Sequence, residues 1–272
     1  MSVKMTVIVD NTSSEGLKGE WGLSILAEHS GKQILVDAGG SELFAENLKK
    51  LDLDIGRIDY GVLSHAHCDH GNGIPKFLDE NKKAKFYLRD TAAEDCYGQI
   101  LFFKMYAGLP KGLDKNYHDR IEYVSGDCRL CDGVYLIPHK TDGLSAIGKR
   151  EGMYRRTPSG WMPDDFSHEQ SVVIDTAKGL VIINSCSHGG ALNIINEVKE
   201  TFPHKKIYGY IGGLHLWNKS RKEIEGIALG MERAGIAYVC TGHCTKNRAY
   251  RIMKEILGDK LSQLRTGLVI EI

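Results

Sequence analysis

Six consecutive residues, His65-Ala66-His67-Cys68-Asp69-His70, constrain this chain more than any other segment. They stand directly after Tyr60-Gly61-Val62-Leu63, a short apolar run of strand character. Side chains two apart in extended backbone point the same way, so His65 and His67 can grip one metal ion together. A turn at Cys68 then sends Asp69 and His70 toward a second position. Imidazoles mixed with a carboxylate suit zinc, iron or manganese, whereas calcium and magnesium prefer shells of oxygen. The segment predicts two neighbouring divalent metal ions, Zn2+ first, with iron or manganese as alternatives. It also demands a fold that brings further donors to the end of a buried strand.

At 272 residues the chain can form one large domain or two small ones. Lys plus Arg and Asp plus Glu both number 35, so the formal net charge is zero. That balance argues against nucleic acid or an anionic membrane as a partner and leaves a small-molecule substrate. The longest apolar runs fall short of the roughly eighteen residues of a membrane span. Met1–Val9 is too short in its apolar part for a secretory signal and reads as the first strand. Seven cysteines, an odd number and several beside histidines, read as reduced thiols of a cytoplasmic protein. Cys128-Arg129-Leu130-Cys131 lacks a second pair at zinc-ribbon spacing, and Cys131-Asp132-Gly133 reads as the turn before a strand at 134–137. The oligomeric state is not legible.

The pattern along the chain is strands joined by hairpins, then helix and strand, twice over. Residues 22–28 and 33–37 flank a hairpin turn, a helix follows to about Lys50, and Gly73-Ile74-Pro75 opens another. In the second half, 171–175 and 179–184 form a hairpin, helices cover 191–202, 221–234 and 246–257, and strands fall at 206–211, 236–240 and 267–272. Residues from about 89 to 165 fit this alternation poorly and are rich in aromatics, so they are expected to be an insertion covering the mouth of the site within a single domain of residues 1–272. Two β-rich halves, each followed by helices, predict a four-layer αββα sandwich of class α/β (α+β) with both sheets inside.

Three later histidines sit where a strand ends and a helix is about to begin. They are His188 in Ser185-Cys186-Ser187-His188-Gly189-Gly190, His215 in Gly212-Gly213-Leu214-His215-Leu216, and His243 in Thr241-Gly242-His243-Cys244-Thr245. Ligands collect at such strand ends, and the adjoining glycines let the backbone turn sharply. His243 also opens a helix. Its free N–H groups, the Thr245 hydroxyl and the cations Lys246 and Arg248 would suit a phosphate or carboxylate.

H-x-H-x-D-H after a buried strand resembles the signature of the metallo-β-lactamase superfamily. The resemblance implies the αββα sandwich and, usually, a dinuclear hydrolytic site. The later segments, with Asn11-Thr12 and Glu15-Gly16-Leu17, look like one bacterial and archaeal branch with C-S-H-G-G-like, G-G-x-H-L-like and H-C-T-like signatures. That branch is commonly named for a dihydropterin-forming synthase that condenses a pterin with a ribofuranosyl-aminobenzene phosphate. The similarity covers nearly the whole chain. In its light we assign His65, His67 and His188 to one metal, and Asp69, His70 and His215 to the other. Many relatives place a histidine before the late hairpin and an acidic bridging ligand after it. Here His168 precedes the hairpin, and Cys186 stands at roughly the acidic position, so both are alternative ligands. Asp37 is expected to brace the first loop by hydrogen bonds.

The expected activity is metal-dependent hydrolysis of a small anionic, phosphate-bearing substrate by a metal-bridging hydroxide. Asp69 would orient the nucleophile, and His243 or His168 would protonate the leaving group. The alternatives are the pterin-condensing transferase of the branch and a di-iron redox or ligand-binding relative, the redox type usually having a carboxylate-richer shell.

Overall fold

The computed structural model describes residues 1–272. In chain order the strands are β1 (Val3–Val9), β2 (Ser24–His29), β3 (Lys32–Val36), β4 (Tyr60–Val62), β5 (Lys85–Arg89), β6 (Cys96–Ile100), β7 (Phe103–Tyr106), β8 (Ile121–Val124), β9 (Cys128–Cys131), β10 (Val134–Pro138), β11 (Met153–Thr157), β12 (Gly160–Pro163), β13 (Gln170–Thr176), β14 (Gly179–Ile183), β15 (Ile207–Ile211), β16 (Tyr238–Thr241), β17 (Leu261–Gln263) and β18 (Val269–Glu271). The helices are α1 (Leu43–Lys50), α2 (Cys68–Gly71), α3 (Ile74–Glu80), α4 (Leu113–Tyr117), α5 (Ser145–Glu151), α6 (Ala191–Thr201), α7 (Arg221–Arg233) and α8 (Lys246–Leu257). None is long and apolar enough to cross a membrane.

Two seven-stranded sheets form the body, in the orders β18-β1-β2-β3-β4-β5-β8 and β17-β16-β15-β14-β13-β10-β9. Strands buried on both faces read as nearly continuous apolar runs, and β14, Gly-Leu-Val-Ile-Ile, is of that kind. Alternate residues of such a strand serve different layers. Val181 and Ile183 meet Met5, Val7, Ile25 and Val36 between the sheets, while Ile182 packs outward against Ile194, Val198 and Met231 of the helices. Phe44, Leu48 and Phe77 cover the outer face of the first sheet. Each such fully buried side chain contributes about 1.5–3 kcal/mol. The outcome is helices, sheet, sheet, helices, the four layers expected from the sequence.

Within both sheets the central pairings are parallel, β3 to β4 to β5 in one and β14 to β15 to β16 in the other. Parallel neighbours end on the same side, so the loops after β4, β14, β15 and β16 gather along one edge of the sandwich. Every singled-out histidine lies on such a loop or beside one.

The region 89–165 differs from its expected form. Ile121–Val124 is β8, the edge strand of the first sheet, and β9 and β10 close the second. Only the flanking parts build something separate, a four-stranded sheet in the order β12-β11-β6-β7, with α5 packed beside it, while α4 lies against α3. The alternation of Ile121-Glu122-Tyr123-Val124 was lost among the surrounding aromatics. Cys128–Cys131 forms an edge strand whose thiols are free, followed by the expected turn at Gly133 (φ +74°).

Candidate metal centre

The hexapeptide 65–70 leaves β4 extended through His67, then winds into the single turn α2 that carries Asp69 and His70. One buried carboxylate holds both ends of this loop. Asp37 Oδ1 accepts the Ser64 N–H (2.6 Å), and Oδ2 accepts from the Ser64 hydroxyl (2.7 Å) and from His70 Nδ1 (2.8 Å). Ser64 Oγ in turn lies 2.8 Å from His65 Nδ1. These bonds aim His65 Nε2 and His70 Nε2 away from the supporting layer.

The loop after β14 brings Cys186 and His188. His188 Nε2 lies 3.1 Å from His67 Nδ1, and its ring stacks on Phe166 at 5.1 Å. A second buried polar cluster fixes this loop from behind. Glu169 accepts the His188 N–H (3.0 Å) and the Gly189 N–H (2.9 Å), and is itself bonded to His139 Nε2. His139 Nδ1 reaches Glu197 at 3.0 Å. The ring lies so close to Gly189 that a Cβ there would stand 2.3 Å from it, which is why glycine occupies the site. Burial opposes charge on His139, but Glu169 and Glu197 outweigh it and raise the ring to about 9.

Four non-glycine residues of these loops, Asp37, Ser187, His215 and His243, hold φ of +60°, +57°, +48° and +47°. Each such conformation costs about 1–3 kcal/mol and persists only where surrounding bonds enforce it. Ser187 is enforced by Tyr210 and Gly213, and the His215 N–H by Cys244 Sγ at 3.2 Å.

The donors converge. Nitrogens of His65, His67 and His188 lie within 4.8 Å of one another, the trio assigned to one metal. In the second assigned set, Asp69 and His70 meet. Asp69 Oδ2 is 3.6 Å from His70 Nε2 and 3.4 Å from His243 Nε2. His215 instead groups with Cys186 and His188. Cys186 stands at the hub: its Sγ is 3.3 Å from His70 Nε2, and it belongs to donor groups with His65 and His70, with His243 and Cys244, and with His188 and His215. His168 lies in a different group with His67, Cys96 and Asp164. Both its nitrogens are engaged, Nδ1 by the Ala66 N–H (3.1 Å) and Nε2 by Asp164 (3.1 Å).

The protonation states of three histidines suit a cation. Burial, reinforced by neighbouring histidines, depresses His65 and His188, and burial with His168 nearby lowers His67 to about 4, so all three are neutral donors. Burial pushes Asp69 up, but the His70 and His243 rings prevail and keep it ionised. Of the six buried imidazole nitrogens without a hydrogen-bond partner, five lie in this cluster and the sixth is His29 Nε2: the five are His65 Nε2, His67 Nε2, His188 Nδ1, His215 Nδ1 and His243 Nε2. His243 Nδ1 donates to Asn11 Oδ1 (3.1 Å), which leaves the Nε2 lone pair facing the Asp69 carboxylate. Two negative ends so placed are reconciled by a proton or a metal ion between them. The residues fit a metal centre.

The helix-start side is less free than its sequence suggests. Thr245 Oγ1 accepts the Leu214 N–H (3.0 Å), Arg248 Nη1 donates to the Lys219 carbonyl (2.8 Å), and Lys246 Nζ sits 3.8 Å over the Trp21 ring. Unforeseen groups lie around the donors: Cys244, Trp21 with its ring 4.8 Å from His243, and the His139–Glu169–Glu197 cluster. A cavity of about 370 Å³ also abuts His188 and His215, walled by Ile147, Leu192, Leu214, Leu216 and Ile227, with Arg150 and Lys219 among its lining. Glu169 stood next to a singled-out histidine; nothing in the sequence marked His139.

Known proteins resemble this chain in sequence and fold. The sequence model of the metallo-beta-lactamase superfamily matches residues 22–152. A 7,8-dihydropterin-6-methyl-4-(beta-D-ribofuranosyl)-aminobenzene-5'-phosphate synthase of Methanocaldococcus jannaschii is 28% identical over 270 residues, covering 92% of this chain and 89% of that protein. An uncharacterized protein of the same organism is 29% identical over 264 residues, covering 95% and 93%. A solved metal-dependent hydrolase of the beta-lactamase superfamily superimposes with a TM-score of 0.86 at 28% identity over 99% of both chains. The metallo-beta-lactamase fold protein YhfI of Bacillus subtilis, 13% identical, superimposes with a TM-score of 0.61 over 100% of this chain and 99% of that one, a likeness of fold.

Proposed function

We propose, from the premise that this chain belongs to the metallo-β-lactamase superfamily, that it is a metal-dependent hydrolase of a small anionic, phosphate-bearing substrate. One observation carries the reading. Five partnerless imidazole nitrogens sit in one cluster with an ionised Asp69. A buried polar atom without a partner costs about 1–3 kcal/mol, and that cost is recovered at His65, His67 and His188 when a cation takes their lone pairs. Two divalent ions held by His65, His67 and His188 and by Asp69, His70 and Cys186 would polarise the scissile centre and lower the pKa of a water toward neutrality.

The chain's own residues supply the rest. Asp69 accepts a hydrogen bond from the attacking water and orients it. His243, whose Nδ1 donates to Asn11, would take up a proton at Nε2 beside Asp69 and pass it to the leaving group. The cavity beside His188 and His215 receives the body of the substrate. Arg150 meets the anionic group there: Glu151 takes only its Nε (3.1 Å), and its remaining nitrogens are the fork that suits a phosphate. Thr245, Lys246 and Arg248, the anion site suggested by sequence, have a smaller part because each is otherwise engaged.

A second reading, the pterin-condensing transferase, is favoured by the name of the M. jannaschii relative and by half-exposed Trp21 and Trp217, whose rings flank His243 and His215 and offer flat stacking faces. The deciding experiment is metal analysis of the purified protein, followed by assays of the metal-loaded protein on bis(4-nitrophenyl) phosphate and on a dihydropterin pyrophosphate mixed with a ribofuranosyl-aminobenzene phosphate. Hydrolysis lost together with metal in His188→Ala supports the first reading. A coupled pterin product without hydrolysis overturns it in favour of the second.

A further inference from the structure

The function described above makes no use of the β6–β7 hairpin, whose exposure is the most anomalous surface feature of the molecule. Ile100, Leu101, Phe102, Phe103 and Met105 are 60%, 78%, 94%, 73% and 56% exposed. The turn is Leu101-Phe102, with Leu101 at φ +54°. Two-residue hairpins favour Gly, Asn or Asp where φ is positive, and a leucine there is strained. Neither the strain nor the apolar tip stabilises an isolated protomer. β7 is also an edge: the order β12-β11-β6-β7 leaves its outer row of N–H and C=O groups unpaired.

We propose that this hairpin is the interface of a two-fold homodimer, in which β7 pairs antiparallel with β7 of a second copy. An isologous contact suits a single strand edge, because the same edge satisfies itself across the axis. The five apolar side chains leave several hundred Å² uncovered, on the order of the roughly 800 Å² per partner of a standard interface. A formal net charge of zero sets up no long-range repulsion between copies. A lipid surface fits less well, since a membrane-binding tip needs a belt of free cations. Here Lys104 Nζ lies 4.2 Å over Tyr154, Lys111 Nζ 3.8 Å over Tyr106, and Arg155 is paired with Asp95 at 3.0 Å. β7 leads directly to Ala107, whose carbonyl accepts the Cys68 N–H (2.8 Å), so the interface abuts the metal-binding loop.

Sedimentation velocity of the full chain at micromolar concentration tests this. Wild type should sediment at twice the chain mass and Phe102→Ser/Phe103→Asp at the chain mass, with unchanged circular dichroism and metal content. Should that variant misfold, Leu101→Gly/Phe102→Thr, which also relieves the turn, replaces it. In addition, β7 amides of the wild type should exchange more slowly at high than at low protein concentration. A wild-type monomer, a variant that remains dimeric, exchange independent of concentration, or co-flotation with phosphatidylcholine–phosphatidylglycerol vesicles would each overturn the proposal.

Discussion

The loop that carries His168 and the loop that carries His188 look alike in sequence and end in opposite states. Both histidines are buried beside the hexapeptide 65–70. His168 has a partner at each nitrogen, Ala66 on one side and Asp164 on the other. His188 has a partnerless Nδ1, and its Nε2 meets only another imidazole. The difference lies in what the neighbouring carboxylate does. Asp164 binds the ring of His168 itself, whereas Glu169 binds the backbone N–H groups of His188 and Gly189 and leaves the ring free. A carboxylate that holds the backbone positions a donor, and one that holds the ring occupies it.

The largest expected effect comes from His188→Ala, with His67→Ala as its counterpart on the hexapeptide. Both should lose bound metal, by more than the about 10–100-fold typical of positions behind the ligands, and lose turnover with it, while circular dichroism stays native. Full metal content in His188→Ala would erase the distinction between the two loops. Next comes Glu169→Gln, which leaves His139 charged against one carboxylate instead of two. Metal affinity should fall about 10–100-fold by competition with a chelator, and urea unfolding should show a loss of about 3–5 kcal/mol. His168→Gln should keep wild-type metal stoichiometry and lose about 1–3 kcal/mol of stability, as Asp164 loses a buried partner. An emptied site in this variant would make His168 the ligand after all.

The mildest test is pH. His139 is raised from its ordinary 6.5 to about 9 in the fold. A raised histidine stabilises fully below its unfolded pKa, and that contribution disappears as pH rises through the folded value. The stability gap between wild type and His139→Gln should therefore be widest near pH 6 and narrow above pH 9. A gap that widens with pH would mean that the His139 cluster is neutral and does not brace the His188 loop electrostatically.

Much of the fold was legible because its strands are short, apolar and separated by glycine-rich turns. Both hairpins, the strand-end loops and the proline-opened helix α3 lie within two residues of their expected places. The site was legible where donors are close in sequence, as in 65–70, or sit beside glycines. It was not legible where chemistry depends on distant partners. Glu169 and Glu197 lie 30 and 58 positions from His139, and Thr245 is engaged by an N–H 31 residues away. The second donor set illustrates the same point: only the meeting of the loops after β4 and β14 places Cys186 Sγ 3.3 Å from His70 Nε2.

Asp37 has a consequence for how metal and protein exchange. With both its oxygens engaged by Ser64 and His70, the hexapeptide is already tied in shape by bonds that no cation supplies. Loading need not order the chain, unlike a zinc finger whose folding and binding are one event. A chelator should thus strip the centre and leave a folded shell that refills on dialysis against zinc, and ion replacement should follow ligand-exchange chemistry without a folding step.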